Sequence, residues 1–379
     1  MSIRQMFPGS IVKPGFNPLA AQTSTTYYDL NTWGSNNNGQ LGLGNTTNYS
    51  SPKQVGSTTA GWATCTSGYR NTAAIKTDGT LWVWGGNAIG QLGLGNTTRY
   101  SSPKQVGALT NWSKISNGNN CAVAIKTDGT LWSWGINLYG TLGLGNATYY
   151  SSPKQIGALT NWLTIACGFY HVNAIKTDGT LWSWGYNAVG QVGDGTRVNK
   201  SSPVQIGALT NWLAISASWY MTSAVKTDGT LWAWGQNNNG QLGTGNTTNY
   251  SSPKQVGALT SWLKISGAYA ASFAVKTDGT LWSWGYNAQG QLGLGNTTFY
   301  SSPKQVGSLS TWSKLPSSGA SYLTAFAIKT DGTLWAWGLG ESGATALGNT
   351  TAYSSPKQVG LLTSWLAISS GSYYSVALN

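Results

Sequence analysis

Charge is scarce in this chain: Asp, Glu, Lys and Arg together make up 8% of its 379 residues, against about 25% in typical soluble domains. There is one histidine, His171, and nine acidic residues. Six of the nine belong to a recurring Asp-Gly pair (Asp78, Asp128, Asp178, Asp228, Asp278 and Asp331) and read as turn residues. Asp29, Asp194 and Glu341 remain, each in a different part of the chain. A paired-carboxylate hydrolase, a nucleophile–histidine relay and a histidine metal site all need more than this. The reading therefore assigns no catalytic residue, no metal ligand and no cofactor, and expects a non-enzyme. Cysteine is equally sparse. Cys65, Cys121 and Cys167 form neither a disulfide framework nor a zinc spacing and read as small buried hydrophobes.

Long apolar runs are missing too, so no membrane span is expected. Pro8, Pro14 and Pro18 interrupt the N-terminus before a secretory apolar segment could form, so no signal peptide is expected. Helical periodicity is absent. The G-x-G of the recurring G-L-G-N-T-T opens no helix, which removes the usual phosphate cradle. The net charge of +12 invites a nucleic-acid reading. Its lysines, however, recur singly in I/V-K-T-D-G and again in S-P-K-Q, and a nucleic-acid footprint would cluster them.

Tryptophan and glycine are abundant, at 21 and 51 residues, and they mark a period. The tryptophan of W-G falls at Trp33, Trp84, Trp134, Trp184, Trp234, Trp284 and Trp337, with spacings of 51, 50, 50, 50, 50 and 53. A second series, Trp62, Trp112, Trp162, Trp212, Trp262, Trp312 and Trp365, keeps nearly the same beat. Such a period signals a repeat architecture. One unit reads N-W-L-K-I-S, a variable stretch, A-V-K-T-D-G-T-L-W-S-W-G, then N-A-Q-G-Q-L-G-L-G-N-T-T and S-S-P-K-Q-V-G. Alternating apolar runs meeting at Asp-Gly predict a β-hairpin. The proline of S-P-K-Q suits an outermost strand. Four short strands per unit predict an all-β, seven-bladed propeller. Aromatic wedges between blades should supply most of its core, with small residues such as Ala274 and Gly285 leaving room for the rings.

The ends support closure. The last unit stops at S-V-A-L-N, where the others continue into K-T-D-G-T-L-W-S-W-G. The first begins at T-T-Y-Y-D-L-N-T-W-G, the missing continuation. One blade shared between the two termini would close the ring. The block L-W-S-W-G-x-N-x-x-G-Q-L-G-L-G-N-T-T, with S-P-K-Q-V after it, resembles the regulator of chromosome condensation repeat family from about residue 27 onward. The resemblance implies the same seven-bladed ring. For function it implies little, since the family spans a nucleotide exchange factor that docks on chromatin, a secreted β-lactamase inhibitor and many bacterial and viral members. The family's G-x-x-H-S segment is degraded here: of Gly68-Tyr69-Arg70-Asn71 and Gly168-Phe169-Tyr170-His171, the second alone keeps a histidine. With no basic N-terminal tail either, an exchange-factor or chromatin role ranks third.

One window refuses to repeat: Tyr69-Arg70-Asn71, Asn119-Asn120-Cys121, Phe169-Tyr170-His171, Trp219-Tyr220-Met221, Tyr269-Ala270-Ala271, Tyr322-Leu323-Thr324 and Tyr373-Tyr374-Ser375. It joins the first and second strands, so its copies should surround one mouth of the channel. Tyr69, Arg70, Phe169, Tyr170, His171, Trp219, Tyr220, Tyr269, Tyr322, Tyr373 and Tyr374 are the candidate partner-binding rim; as an alternative, these aromatics plug the channel. A second variable position in N-T-T-x-Y (Asn48, Arg99, Tyr149, Asn199, Asn249, Phe299, Ala352) is expected to face solvent elsewhere. Residues 1–26 read as an extended docking arm with Ile3, Met6, Phe7, Ile11, Val12 and Phe16 as its apolar contacts.

The leading expectation is a bacteriophage virion component, decorating capsid or tail. It would be docked to virion or scaffold proteins by the arm and would contact a host-surface protein or glycan, residing in the particle or in the cytoplasm before assembly. The alternative is a soluble protein-binding inhibitor or regulator acting through the rim.

Overall fold

The computed structural model describes residues 28–57, 60–317 and 322–379; the arm assigned to residues 1–26, with its six apolar contacts, lies outside the described residues. Seven antiparallel sheets of four strands follow one another among the described residues. In the blade of residues 162–205 the strands are Trp162–Cys167, His171–Lys176, Leu181–Gly185 and Lys200–Gln205. First strands of successive blades contact one another, which places them innermost. The fourth strand is the most exposed and carries Pro203 on its edge, where no ladder partner is needed.

The closing blade, taken as blade one, combines Ala367–Ser370 and Tyr374–Leu378 with Leu30–Gly34 and Tyr49–Gln54. Leu30 lies opposite Leu378 and Gly34 opposite Tyr374. The predicted propeller, its blade count and its shared blade are all observed. Blades two to seven follow in chain order, starting at Trp62, Trp112, Trp162, Trp212, Trp262 and Trp312.

Each W-G tryptophan is wholly buried, and its indole N–H donates to a backbone carbonyl of the preceding blade. Trp184 reaches Thr141 at 2.9 Å and Trp234 reaches Gln191 at 3.1 Å; Trp33 closes the circle on Ala344 at 3.0 Å. Burying an indole contributes on the order of 2–3 kcal/mol, and the bond fixes its orientation. The ring needs a glycine to pass. A Cβ on Gly243 (φ +74°) would stand 2.6 Å from the Trp284 indole nitrogen, whereas one on Gly285 would strike the Ala270 carbonyl instead. Gly243, not Gly285, therefore makes room for that tryptophan, while Ala274 packs in the same cluster.

The Asp-Gly pairs close the expected hairpins. Gly179 alone takes positive φ (+77°); its N–H bonds Lys176, and Lys176 N–H bonds Thr180. This is a three-residue loop with a left-handed glycine. The aspartates do hold the turn. Asp178 Oδ1 accepts from the Thr180 N–H and hydroxyl, and Thr180 Oγ1 in turn accepts the Trp182 indole N–H. These bonds to Thr180 keep the Asp178 carboxyl below its ordinary range. Beside the turn, the Lys176 ammonium lies 4.8 Å from the Trp162 ring and 3.7 Å from the Trp182 ring, a cation–π sandwich. The repeated lysine is thus consumed by the scaffold.

Candidate functional site

Antiparallel strands put the loops after first and third strands at one end of the ring. In blades one to six the first strand ends in a tight turn: the Gly168 N–H bonds the His171 carbonyl, as Gly68 bonds Asn71 and Gly371 bonds Tyr374. Two residues project from the turn and the third re-enters the sheet. The projecting inner positions are Tyr69, Asn119, Phe169, Trp219, Tyr269, Tyr322 and Ser372. The next are Arg70, Asn120, Tyr170, Tyr220, Ala270, Leu323 and Tyr373.

The pairing corrects the sequence alignment in blade one. Tyr374 pairs with Gly34 as His171 pairs with Gly185, so the window there is Ser372-Tyr373-Tyr374. Tyr374 and His171 belong to the third, buried position and do not reach the rim. The Tyr374 hydroxyl donates to the Asn71 carbonyl at 2.6 Å, and burial pushes its phenol well up. His171 Nε2 lies 3.0 Å from Thr222 Oγ1, which itself donates to the Gln191 carbonyl. The imidazole therefore carries its proton on Nε2, a tautomer assigned from this network. Burial lowers its pKa to about 3.

The remaining aromatics meet edge and face across the mouth. Phe169 stacks on Trp219 at 4.4 Å, Trp219 meets Tyr269 at 4.4 Å, Tyr269 meets Tyr322 at 5.0 Å and Tyr322 meets Tyr373 at 5.2 Å. Tyr69 and Phe169, from blades two apart, approach to 6.0 Å. Rim and plug prove compatible, because the rings close on one another over the channel yet each stays only half-buried.

An outer tier escaped the sequence reading. Tyr139 packs on Tyr170 at 5.3 Å and on Tyr186 at 4.6 Å, and Tyr186 on Tyr220 at 5.8 Å. Its signals were the variable residue after W-G, here Tyr186, and the variable residue before the next glycine, here Tyr139. The N-T-T-x position joins the same face rather than another one: Phe299 packs on Tyr286 at 4.7 Å and Arg99 donates to the Asn37 carbonyl. Burial raises the phenols of Tyr170 and Tyr220, so these two stay neutral at ordinary pH. Arg70, exposed, stands 5.0 Å over the Tyr69 ring. Among the described residues no group of three His, Cys, Asp or Glu could hold a metal, and no helix is long and apolar enough to cross a membrane. The face offers contact area and directional hydrogen bonds, the chemistry of recognition.

The model of the Regulator of chromosome condensation (RCC1) repeat matches residues 30–75, 78–125, 128–175, 178–225, 228–275, 278–325 and 331–378. The chain is 37% identical over 79 residues to the ultraviolet-B receptor UVR8 of Arabidopsis thaliana, covering 21% of this chain and 18% of that one. It is 40% identical over 86 residues to a protein RCC2 homolog of Danio rerio, covering 21% and 17%. The matched segment thus spans under a fifth of either relative. The structure of Prp20p from Saccharomyces cerevisiae, a protein described as binding Gsp1p and histones, superposes with a TM-score of 0.83. That match has 20% identity over 94% of this chain and 92% of Prp20p, a likeness of fold alone.

Proposed function

The chain belongs to the regulator of chromosome condensation repeat family, and on that premise we propose that it is a non-enzymatic regulator that binds a protein partner through its aromatic loop face. One observation carries the reading. Of the 21 tryptophans, Trp219 alone stands outside the repeat series, and it sits at the centre of the ring network with a face in solvent. Tryptophan and tyrosine in such a setting are the residues that dominate binding energy. Capture experiments with the chain, with Trp219→Ala and Tyr220→Ala, and with Leu209→Ala on the opposite face test it. A partner held by the parent and Leu209→Ala but released by both rim variants supports the reading. Retention by folded rim variants overturns it.

A second reading, nucleotide exchange on a small GTPase, is favoured by the likeness to Prp20p, which binds Gsp1p. Acceleration of nucleotide release from a small GTPase of that class supports it, and unchanged release rejects it. Docking to a virion through residues 1–26 concerns residues outside those described. The comparisons add nothing to it, and its test is particle incorporation after their deletion.

A further inference from the structure

The inner ring is aromatic at five of seven positions, and Ser372 breaks it. Beside that serine opens a cleft of about 440 Å³, within the range of small-ligand sites. Several departures from the repeat converge on its walls. Arg70 stands where the other blades have Asn120, Tyr170, Tyr220, Ala270, Leu323 and Tyr373, none charged. Glu341, the one glutamate of the chain, stands where they have Asn37, Ala88, Leu138, Ala188, Asn238 and Ala288. Ser342 (φ +57°) and Tyr373 (φ +59°), two of the three non-glycine residues with left-handed backbone among those described, line the same cleft. Such strain persists where the surroundings over-determine it, and it concentrates at binding sites. Drift alone would scatter these changes around seven blades.

The charges define the occupant. Arg70 and Glu341 form no ion pair: among the described residues the one ion pair is Lys200–Asp194. A guanidinium and a carboxylate thus face one cleft without neutralising each other, together with the amide of Gln40 and the rings of Tyr69 and Tyr373. An anion would be opposed by Glu341 and a cation by Arg70. A neutral polyhydroxyl ligand suits both, since each hydroxyl can accept from the guanidinium and donate to the carboxylate, while its C–H faces lie against phenol rings. We propose that this cleft binds a short neutral saccharide.

The test uses the full chain with lactose, maltotriose, chitotriose and mannotriose as probes, and triglycine as a zwitterionic control, by saturation-transfer NMR and calorimetry. At least one saccharide should bind saturably below about 10 mM, with Arg70→Ala and Glu341→Gln each weakening it about tenfold. Ser372→Trp, which adds an aromatic at this buried position beside the cleft, should abolish binding in protein whose circular dichroism spectrum matches the parent's. Tyr220→Ala, in the arc assigned to the protein partner, should leave saccharide affinity unchanged, which separates failure of the two proposals. No saccharide binding, binding of triglycine alone, or saccharide affinity indifferent to Arg70→Ala and Glu341→Gln overturns the assignment.

Discussion

Titration of the sole histidine, His171, puts the burial of the third window position to a direct test. His171 is wholly buried, and burial lowers its pKa from 6.5 to about 3. Because the folded pKa lies below the unfolded one, the unfolded chain binds the proton first. Stability is complete above pH 6.5 and falls as the pH drops toward 3. The slope approaches about 1.4 kcal/mol per pH unit, so between pH 7.5 and 5 unfolding should become easier by about 2 kcal/mol, a sizeable share of a typical 5–15 kcal/mol. The turn aspartates, held low by their threonine bonds, lose stabilising charge only at more acid pH. Urea unfolding at pH 7.5, 6.5, 5.5 and 5.0 measures the slope. His171→Met, which installs the residue that blade five carries as Met221, should flatten it. Wild-type stability as flat as the variant's would mean that the imidazole is reached by water or paired when protonated, and the burial argument would fall.

Two further predictions concern the scaffold. Gly179→Ala places a Cβ 2.0 Å from the Thr210 carbonyl at φ +77° and should cost at least about 3 kcal/mol, adding backbone displacement to left-handed strain. Gly157→Ala, at φ +59° with nothing within 4 Å, should cost only about 1–2 kcal/mol; equal urea midpoints for the two would refute the steric account. Lys176→Met removes the ammonium from between Trp162 and Trp182 but also its desolvation, which lowers the lysine pKa. The net loss should be about 1 kcal/mol by chemical denaturation, and a loss beyond about 3 kcal/mol would show that the sandwich does more than pack.

What was legible in the sequence is what repeats. The W-G, Asp-Gly and S-P-K-Q marks recur with one period, so blade count, strand order and ring closure followed from counting. The misreadings all lie where contacts are non-local. Tyr373 and Tyr374 are both aromatic, and composition could not tell which one enters the sheet; the pairing of Tyr374 with Gly34 decides it. The N-T-T-x position returns to the loop face because the buried asparagine after W-G ties the loop back. Asn287 Nδ2, for one, donates to the carbonyls of Asn296 and Thr298, a fold-back no periodicity reveals. The sequence opposed rim to plug, and seeing that the same rings do both required the ring geometry.

The bonds that hold the ring spare the residues that vary. Indole staples run from W-G tryptophans to backbone carbonyls, turn networks run through Asp, Thr and Trp, and closure runs through backbone pairing of Leu30–Gly34 with Tyr374–Leu378. None uses the side chains of the two residues projecting from each first turn. Substitution there leaves these staples, turn networks and closing strands intact, the bonds lost being local ones such as Asn119 to the Tyr170 hydroxyl and Gln91 to Asn120, so these positions can diverge at little cost in stability. Divergence has made two territories on one face: an aromatic arc over blades three to seven, and a charged cleft, walled by Tyr69 and Tyr373, where blades seven, one and two meet. A scaffold of this kind separates the freedom to recognise from the requirement to fold. Loss of binding without loss of stability is therefore the expected signature of substitutions at exposed Arg70 and Glu341 and half-buried Tyr220, and the opposite signature is expected one residue further in, at His171 and Tyr374.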